Sequence, residues 1–426
     1  MSKFYTLLLV FTVCAAQAQQ TIVHCGMLID GFSDKPLREQ SIIIEGDRIV
    51  AVKKGYIESG AKDELIDLKA YTIMPGLIDM HVHIESETGK NKYMNKFTQN
   101  PEDKAFESVV YAQRTLMAGF TTVRDLGGSG VNISLRNAIA KGLIDGPRIY
   151  TAGKALGVTG GHADPTNGFS NKLMGNPGPE DGVVNGQADA RKAVRQQYKN
   201  GADLIKITAT GGVLSLAKNG VGPHFQEDEI RVIVETANDY GFHVAAHAHG
   251  DEGMQRAVRA GVTTIEHGTY MSDETMQMMK ERNTYFIPTL LAGAFVAEKA
   301  AEQGYYPDII VPKAAMVGPQ IFETYKRAVK LGVPIGFGTD AGVFLHGDNG
   351  REFELMVKGG MSPLQAIKCA TTVNASILKE TENIGAIKSG LYADLVAVKG
   401  NPLNDIKLMQ SVEFVMKGGV IYKSVK

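Results

Sequence analysis

The stretch PGLIDMHVHIE, residues 75–85, ends an apolar run with His81 and His83. Residues i and i+2 of a β-strand point to the same face, so both imidazoles share one face at the end of a buried strand. Such a pair indicates a metal site only if other parts of the chain supply further ligands. We therefore searched the rest of the sequence for them.

Apolar runs like this one recur along the middle of the chain and alternate with helical patterns. Counting YTIMPGLIDMHVH there are eight, the others being GFTTVRDLGG, GPRIYTAGKAL, GADLIKITATGG, GFHVAAHAHG, GVTTIEHGT, NTYFIPTLL and GVPIGFGTDAG. Several follow an amphipathic helix that ends in glycine, as in EDEIRVIVETANDYG. Alternating strands and helices predict a parallel sheet, and eight units in roughly 300 residues favour a (β/α)8 TIM barrel.

Both ends of the chain predict short strands instead. TIVHCGMLIDG, SIIIEGDRIVAVKK and ELIDLKAYTIMPG lie before the barrel, and IGAIKSGLYADLVAVKG and SVEFVMKGGVIYK follow it. Neither end is long enough to bury a core well alone. We predict one small β domain built from residues 19–74 and 380–426, with the barrel at 75–379.

The first 18 residues predict a secretory signal peptide. Lys3 precedes an apolar stretch over residues 4–15, and AQA at 16–18 provides a small-x-small cleavage site near Ala18. There are two alternatives to a signal peptide: the apolar stretch is a buried first helix, or the protein is a lipoprotein modified at Cys14. We expect export to the periplasm or the medium.

The net charge, the hydropathy and the cysteine content limit the partners and bonds that we expect. The 426 residues carry a net charge of −1, which gives no reason to expect nucleic acid or an anionic membrane as a partner. No later segment predicts a membrane span, and a homo-oligomer is compatible with the sequence. Cys25 and Cys369 remain after cleavage, and two free thiols are favoured over one bridge.

Further ligand-type side chains occur where the predicted strands end. Lys206 faces away from its apolar neighbours, His247 points inward near its strand end, and His267 and Asp340 end two other runs. A TIM barrel builds its active site at this face. Singly, each residue would usually be structural, but together with His81 and His83 they predict a Zn²⁺ site, with Mn²⁺, Co²⁺ or Fe²⁺ feasible.

Lys206 does not fit a simple metal site, because its ammonium would be repelled by the metal and costly to bury. One solution is a neutral amine. Another is a carbamate formed with CO2, which is anionic and could bridge two metals. In a third reading the ammonium pairs with Asp340 in an empty or one-metal site.

Taken together, PGLIDMHVHIE, GFTTVRDLGG, KITATGG, HAHG, TIEHGT, GTDAG and KSGLYADLVAVKGNPL resemble the amidohydrolase superfamily over essentially the whole mature chain. The resemblance is strongest to its imidazolonepropionase-related and prolidase-like branch. That branch contains Xaa-Pro dipeptidases, Xaa-Arg/Lys carboxypeptidases and ochratoxinase-like amidases. It implies an α/β fold in which the β domain beside the TIM barrel is a small β-sandwich.

The resemblance also implies a role for each predicted site residue. A buried metal would be bound by His81, His83 and Asp340, and a second metal by His247 and His267. A carbamate on Lys206 would bridge the two ions, which favours the peptidase-like group, since true imidazolonepropionases are mononuclear and lack this lysine. His162 in GVTGGHADP would contact the substrate, because the histidine of this motif lies near the site in similar proteins. His249 follows His247 by two on the same strand face and would reach the same pocket, and a structural loop role is the alternative for both.

These roles predict a metal-dependent hydrolase acting on the amide bond of a dipeptide or an N-acyl amino acid. A hydroxide generated between the metals would attack the carbonyl, with Asp340 as base and then acid. A cyclic amide or lactone hydrolase using the same metals is the alternative. A non-catalytic binding protein is disfavoured, because all six expected ligands are present.

Overall fold

A computed structural model describes residues 19–90, 92–217 and 219–425 of the chain. The predicted signal peptide, residues 1–18, lies outside the described residues. No helix in the described part is long and apolar enough to cross a membrane.

The described chain alternates strands and helices between two strand-rich ends. The strands are β1 (Thr21–Leu28), β2 (Leu37–Glu45), β3 (Arg48–Lys54), β4 (Glu64–Pro75), β5 (Leu77–Val82), β6 (Phe120–Asp125), β7 (Arg148–Thr151), β8 (Ile205–Thr208), β9 (Val244–Ala248), β10 (Thr264–His267), β11 (Tyr285–Ile287), β12 (Leu395–Lys399), β13 (Phe414–Lys417) and β14 (Val420–Lys423). The helices are α1 (Lys92–Thr98), α2 (Pro101–Met117), α3 (Val131–Ala140), α4 (Asn171–Met174), α5 (Gly186–Asn200), α6 (Glu227–Asp239), α7 (Asp251–Ala260), α8 (Asp273–Arg282), α9 (Leu290–Ala300), α10 (Val311–Leu331), α11 (Arg351–Lys358), α12 (Pro363–Lys368) and α13 (Asn374–Ile377).

Strands from both ends of the chain join in one seven-stranded sheet of order β14-β13-β12-β4-β1-β2-β3. The junction is an antiparallel pairing of β12 with β4, in which Val396 lies opposite Met74. Phe414 of β13 and Ile49 of β3 belong to one buried apolar cluster although their strands lie near opposite edges of the sheet. Both ends of the chain therefore contribute strands to one sheet.

The central strands form two parallel sheets, β5-β6-β7 and β8-β9-β10-β11. Hydrogen bonds join them on one side, where the Leu156 N–H donates to the Lys206 carbonyl at 2.7 Å. On the other side, residues 334–341 bridge β11 and β5, since the Phe286 N–H reaches the Pro334 carbonyl at 2.8 Å and the Met80 N–H reaches the Phe337 carbonyl at 3.0 Å. The arrangement is of the TIM-barrel type.

The eighth apolar run, GVPIGFGTDAG, occupies a strand position without forming a regular strand. Its glycines explain why. A Cβ on Gly338 would lie 2.4 Å from the Ile287 side chain and 3.1 Å from His81. The backbone therefore approaches both neighbours more closely than a side chain would allow.

The N-terminus of α9 is capped from a distant helix. The Glu352 carboxylate accepts the Leu290 N–H at 2.8 Å and the Leu291 N–H at 2.7 Å. Thr289, the residue before α9, has φ of 51° and directs its hydroxyl to His267 Nδ1 at 2.8 Å. Since Thr289 does not cap its own helix, Glu352 satisfies donors that would otherwise be buried without partners.

We expect Glu352→Gln to lower the free energy of unfolding by about 1–3 kcal/mol, because the new amide would turn a donor toward a backbone N–H. Urea denaturation of the mature protein measures this. The control is Glu235→Gln on the exposed face of α6, expected to change stability by less than about 0.5 kcal/mol. Equal stability of the two variants would contradict the capping role of Glu352.

Candidate active site

A cavity of about 670 Å³ opens at the carboxyl ends of the parallel strands. That volume lies within the usual range for small-molecule sites, roughly 300–1,000 Å³. All eight residues that the sequence predicted for the site border it: His81, His83, His162, Lys206, His247, His249, His267 and Asp340. They come from several strands and loops far apart in the chain, which the ring of strands brings together.

Two of the histidines present bare ring nitrogens to the Asp340 carboxylate. The Nδ1 atoms of His81 and His83 lie 2.8 Å from the Glu266 carboxylate and the Gly127 carbonyl. Carboxylate and carbonyl oxygens only accept, so each Nδ1 carries the hydrogen of a neutral ring. The Nε2 lone pairs of His81 and His83 then lie 3.5 and 3.4 Å from Asp340 Oδ1.

Asp340 itself is held in an unusual backbone conformation. Its φ is 61°, and its N–H donates to the His81 carbonyl at 2.7 Å. Asp340 Oδ1 is buried and accepts no hydrogen bond from the described residues. Burial raises the pKa of Asp340 to about 7, although the charge of Lys206 opposes the rise. A non-glycine residue at positive φ with an unsatisfied oxygen marks a functional position.

The second group of imidazoles packs ring against ring. The ring centroid of His247 lies 4.4 Å from that of His162 and 4.7 Å from those of His249 and His267. His247 Nε2 lies 3.0 Å from the Gly211 carbonyl, so its hydrogen is on Nε2 and its Nδ1 keeps a lone pair. His267, like Asp340, has a positive φ, of 70°.

Burial keeps these imidazoles neutral. It lowers the pKa of His83 to about 4 and those of His162 and His249 to about 3. The pKa values of His81, His247 and His267 are shifted well below their usual range for the same reason. Neutral imidazole is the form that binds a metal ion.

Lys206 lies among these groups without a partner. It is 3% exposed, and its ammonium makes no hydrogen bond or ion pair with the described residues. Burial lowers the pKa of Lys206 to about 8, while the charges of Glu266 and Asp340 act in the opposite direction. One interpretation of Lys206 requires an ion pair between its ammonium and Asp340, and the described residues do not show that ion pair.

A buried ion pair lies beside the site, and its carboxylate, Glu266, was missed from the sequence, whereas Arg124 is predicted there as a structural partner of a strand-end group. The Glu266 carboxylate accepts Arg124 Nη2–H at 2.8 Å on one oxygen and His81 Nδ1–H at 2.8 Å on the other. All three side chains are at most 1% exposed. Opposite charges in the middle of two short apolar runs, TTVRDL and TTIEHG, were the available signal.

The residues present fit a divalent metal ion. A tetrahedral zinc with bonds of about 2.1 Å holds its ligand atoms about 3.4 Å apart. The Nε2 atoms of His81 and His83 lie 3.5 and 3.4 Å from Asp340 Oδ1, and ligand atoms of His81, His267 and Asp340 lie within 4.8 Å of one another. The donor set, imidazole nitrogens and a carboxylate oxygen, suits zinc and its neighbours in the first transition row.

Comparisons with known proteins agree with this chemistry. A model of the amidohydrolase family matches residues 72–422. Ochratoxinase from Aspergillus niger is 33% identical over 436 aligned residues, which cover 96% of this chain and 87% of that protein.

Solved structures give the same result. The crystal structure of a Xaa-Pro dipeptidase with bound methionine is 50% identical, with a TM-score of 0.93, and the match covers 95% of this chain and all of that one. A prolidase complexed with N-methylphosphonate-L-proline is 34% identical, with a TM-score of 0.87 and coverage of 95% and 100%. The chain therefore belongs to the amidohydrolase family, in its prolidase-like branch, and is an enzyme that hydrolyses carbon–nitrogen bonds.

Proposed function

We propose that this enzyme is exported, binds two divalent metal ions, and cleaves the amide bond of a dipeptide or an N-acyl amino acid. Residues 75–379 would form a closed (β/α)8 barrel, and residues 19–74 with 380–426 a β-sandwich, after removal of residues 1–18. The apolar cluster shared by β3 and β13 supports a sheet that folds over itself.

One observation carries the metal proposal. The Nε2 lone pairs of His81 and His83 and the Asp340 Oδ1 meet in a buried space with no hydrogen between them. Three electron-rich atoms at this spacing repel one another, and a cation is the simplest group that compensates all three. When bound there, zinc or a related ion would act as a Lewis acid and acidify a water molecule.

The second ion would be held by His247 and His267, with Lys206 as a bridging carbamate. The lowered pKa of Lys206 supports the carbamate, because only the neutral amine adds to CO2. Its nitrogen forms a bond to carbon, one C–O π bond opens, and Nζ releases a proton, so that the side chain becomes an anion. An anionic Lys206 resolves the cost of burying an unpaired ammonium.

The chain's own residues would move the proton and orient the substrate. The Asp340 carboxylate, which borders the cavity beside the metal-site histidines, would accept a proton from the attacking water and deliver it to the leaving nitrogen. Of the two predicted substrate contacts, His249 is fixed by a 2.7 Å contact of its Nδ1 with the Thr269 hydroxyl. His162 has a buried Nδ1 without a described partner, which leaves it suited to a substrate oxygen.

Solved relatives named as a Xaa-Pro dipeptidase and a prolidase support a dipeptide substrate, and the relative named ochratoxinase supports the wider amide class. The metal site alone would also serve a cyclic amide or lactone hydrolase. A substrate screen distinguishes hydrolysis of dipeptides or N-acyl amino acids from hydrolysis of cyclic amides or lactones.

The mature protein, purified without chelator, should contain about two metal ions per chain by mass spectrometry. It should hydrolyse members of a library of dipeptides and N-acyl amino acids.

Lys206→Met should lose at least one ion and at least about 100-fold in kcat/KM, because it removes the bridging ligand. The control is Lys141→Met, an exposed lysine at the end of α3, which should retain metal and activity. Metal-free protein without amidase activity would contradict the proposal, and hydrolysis of cyclic amides or lactones alone would support the alternative.

The buried Glu266 predicts a second effect. Glu266→Gln removes the charge that fixes the His81 ring and partners Arg124, so the metal dissociation constant should rise by about 10- to 100-fold. Titration of the metal-free protein with Co²⁺, followed by its visible absorption, measures the constant. The isosteric control, Glu235→Gln, should leave it unchanged. Unchanged affinity in a folded Glu266→Gln protein would mean that this contact does not orient His81 for metal binding.

A further inference from the structure

The mouth of the cavity is covered by the segment that follows β5. Within it, the Tyr93 hydroxyl of α1 donates to the Leu214 carbonyl at 2.9 Å, and the Phe97 ring centroid lies 5.2 Å from that of Phe169. Thr88 Oγ1 lies 2.8 Å from the Tyr305 hydroxyl. Contacts with three other parts of the chain thus hold the segment from Thr88 to Phe97 at the cavity.

Each acidic side chain that borders this cavity already has partners other than the lysines of α1 and α2. Glu85 and Asp164 accept backbone N–H groups, the latter at 2.8 and 2.9 Å. Asp181 pairs with Lys154 at 2.9 Å. Asp340 faces the two metal-site histidines. None of these carboxylates lies in an ion pair with a lysine of α1 or α2.

Three cations at the entrance therefore lack counter-ions. Lys92 and Lys96 lie one turn apart on α1, and Lys104 lies in the first turns of α2. All three border the cavity, and among the described residues none of their ammonium groups forms a hydrogen bond or an ion pair. The charges of Lys92 and Lys104 both lower the pKa of Lys96, so each of them is near enough to repel Lys96.

Lys92 borders the cavity together with the metal-site residues His83 and Asp340. Burial lowers the pKa of Lys92 and the charge of Asp340 opposes that shift, so these two side chains lie near enough to interact. Lys96 instead lies over the Phe169 ring, 4.7 Å from its centroid. The three lysines thus place positive charge on the wall of the cavity that also contains the metal-site residues.

We infer that Lys92 binds the free carboxylate of the substrate and that Lys96 and Lys104 attract it to the entrance. The inference rests on the proposed hydrolysis of dipeptides or N-acyl amino acids and assigns the side chains that would recognise the carboxylate of these substrates. Converging like charges are unfavourable in the empty enzyme, and a bound anion removes that cost. Clefts lined by charge of one sign also raise the association rate of oppositely charged substrates. A neutral cyclic amide would gain nothing from this arrangement.

The test compares each substrate found in the screen with its carboxamide, which differs only in lacking the negative charge. The native enzyme should prefer the acid by about 10- to 100-fold in kcat/KM, mainly through KM, and the preference should shrink as salt is added. Lys92→Met should abolish most of the preference, Lys92→Arg should restore it, and the exposed-site control Lys141→Met should keep it. An enzyme that hydrolyses acid and carboxamide equally well, before and after Lys92→Met, would overturn the inference while leaving the amidase function intact.

A binding measurement separates this inference from a failure of the proposed function. Calorimetry with N-acetyl-L-leucine and N-acetyl-L-leucinamide reports recognition of the carboxylate even if neither compound is hydrolysed. Tighter binding of the acid that is lost in Lys92→Met supports the inference. Binding of both compounds with equal affinity in the native protein contradicts it.

Discussion

Three electron-rich atoms, Nε2 of His81, Nε2 of His83 and Oδ1 of Asp340, converge where no hydrogen-bond donor of the described residues reaches Asp340 Oδ1. The rest of the site depends on this constraint. Glu266 and the Gly127 carbonyl hold the rings so that their lone pairs face inward, and Arg124 balances the Glu266 charge. Without a cation the arrangement is repulsive, and with one it becomes a ligand set.

The fold supplies this constraint at the places where its strands are least regular. Gly338 allows the eighth segment of the ring to approach His81 and Ile287. Beyond it the chain turns through a positive φ at Asp340, and β10 ends in the same conformation at His267. Both residues adopt a strained backbone conformation, which the surrounding hydrogen bonds stabilise. The capping of α9 by Glu352 extends that support to Thr289 and so to His267.

Much of this organisation could be predicted from the sequence because it depends on local periodicity. The spacing of His81 and His83 fixes a shared strand face, and the isoleucines that flank Lys206 fix its inward direction. The assignment of those residues to particular metals stays a prediction. The Arg124–Glu266–His81 contacts join residues up to 185 positions apart, so the charges within TTVRDL and TTIEHG indicate buried partners without showing which residues pair. The apolar residues of the eighth segment predict a strand, whereas in the structure its glycines allow a close backbone approach and the segment stays irregular.

The central claim is that His81, His83, His247, His267, Asp340 and a carboxylated Lys206 hold two metal ions. Crystals of the mature enzyme grown with zinc, with diffraction recorded on both sides of the zinc absorption edge, test it most directly. We expect two anomalous peaks, one beside His81, His83 and Asp340 and one beside His247 and His267, with density for a carbamate between them. A single peak, or no anomalous signal among these side chains, would contradict the account.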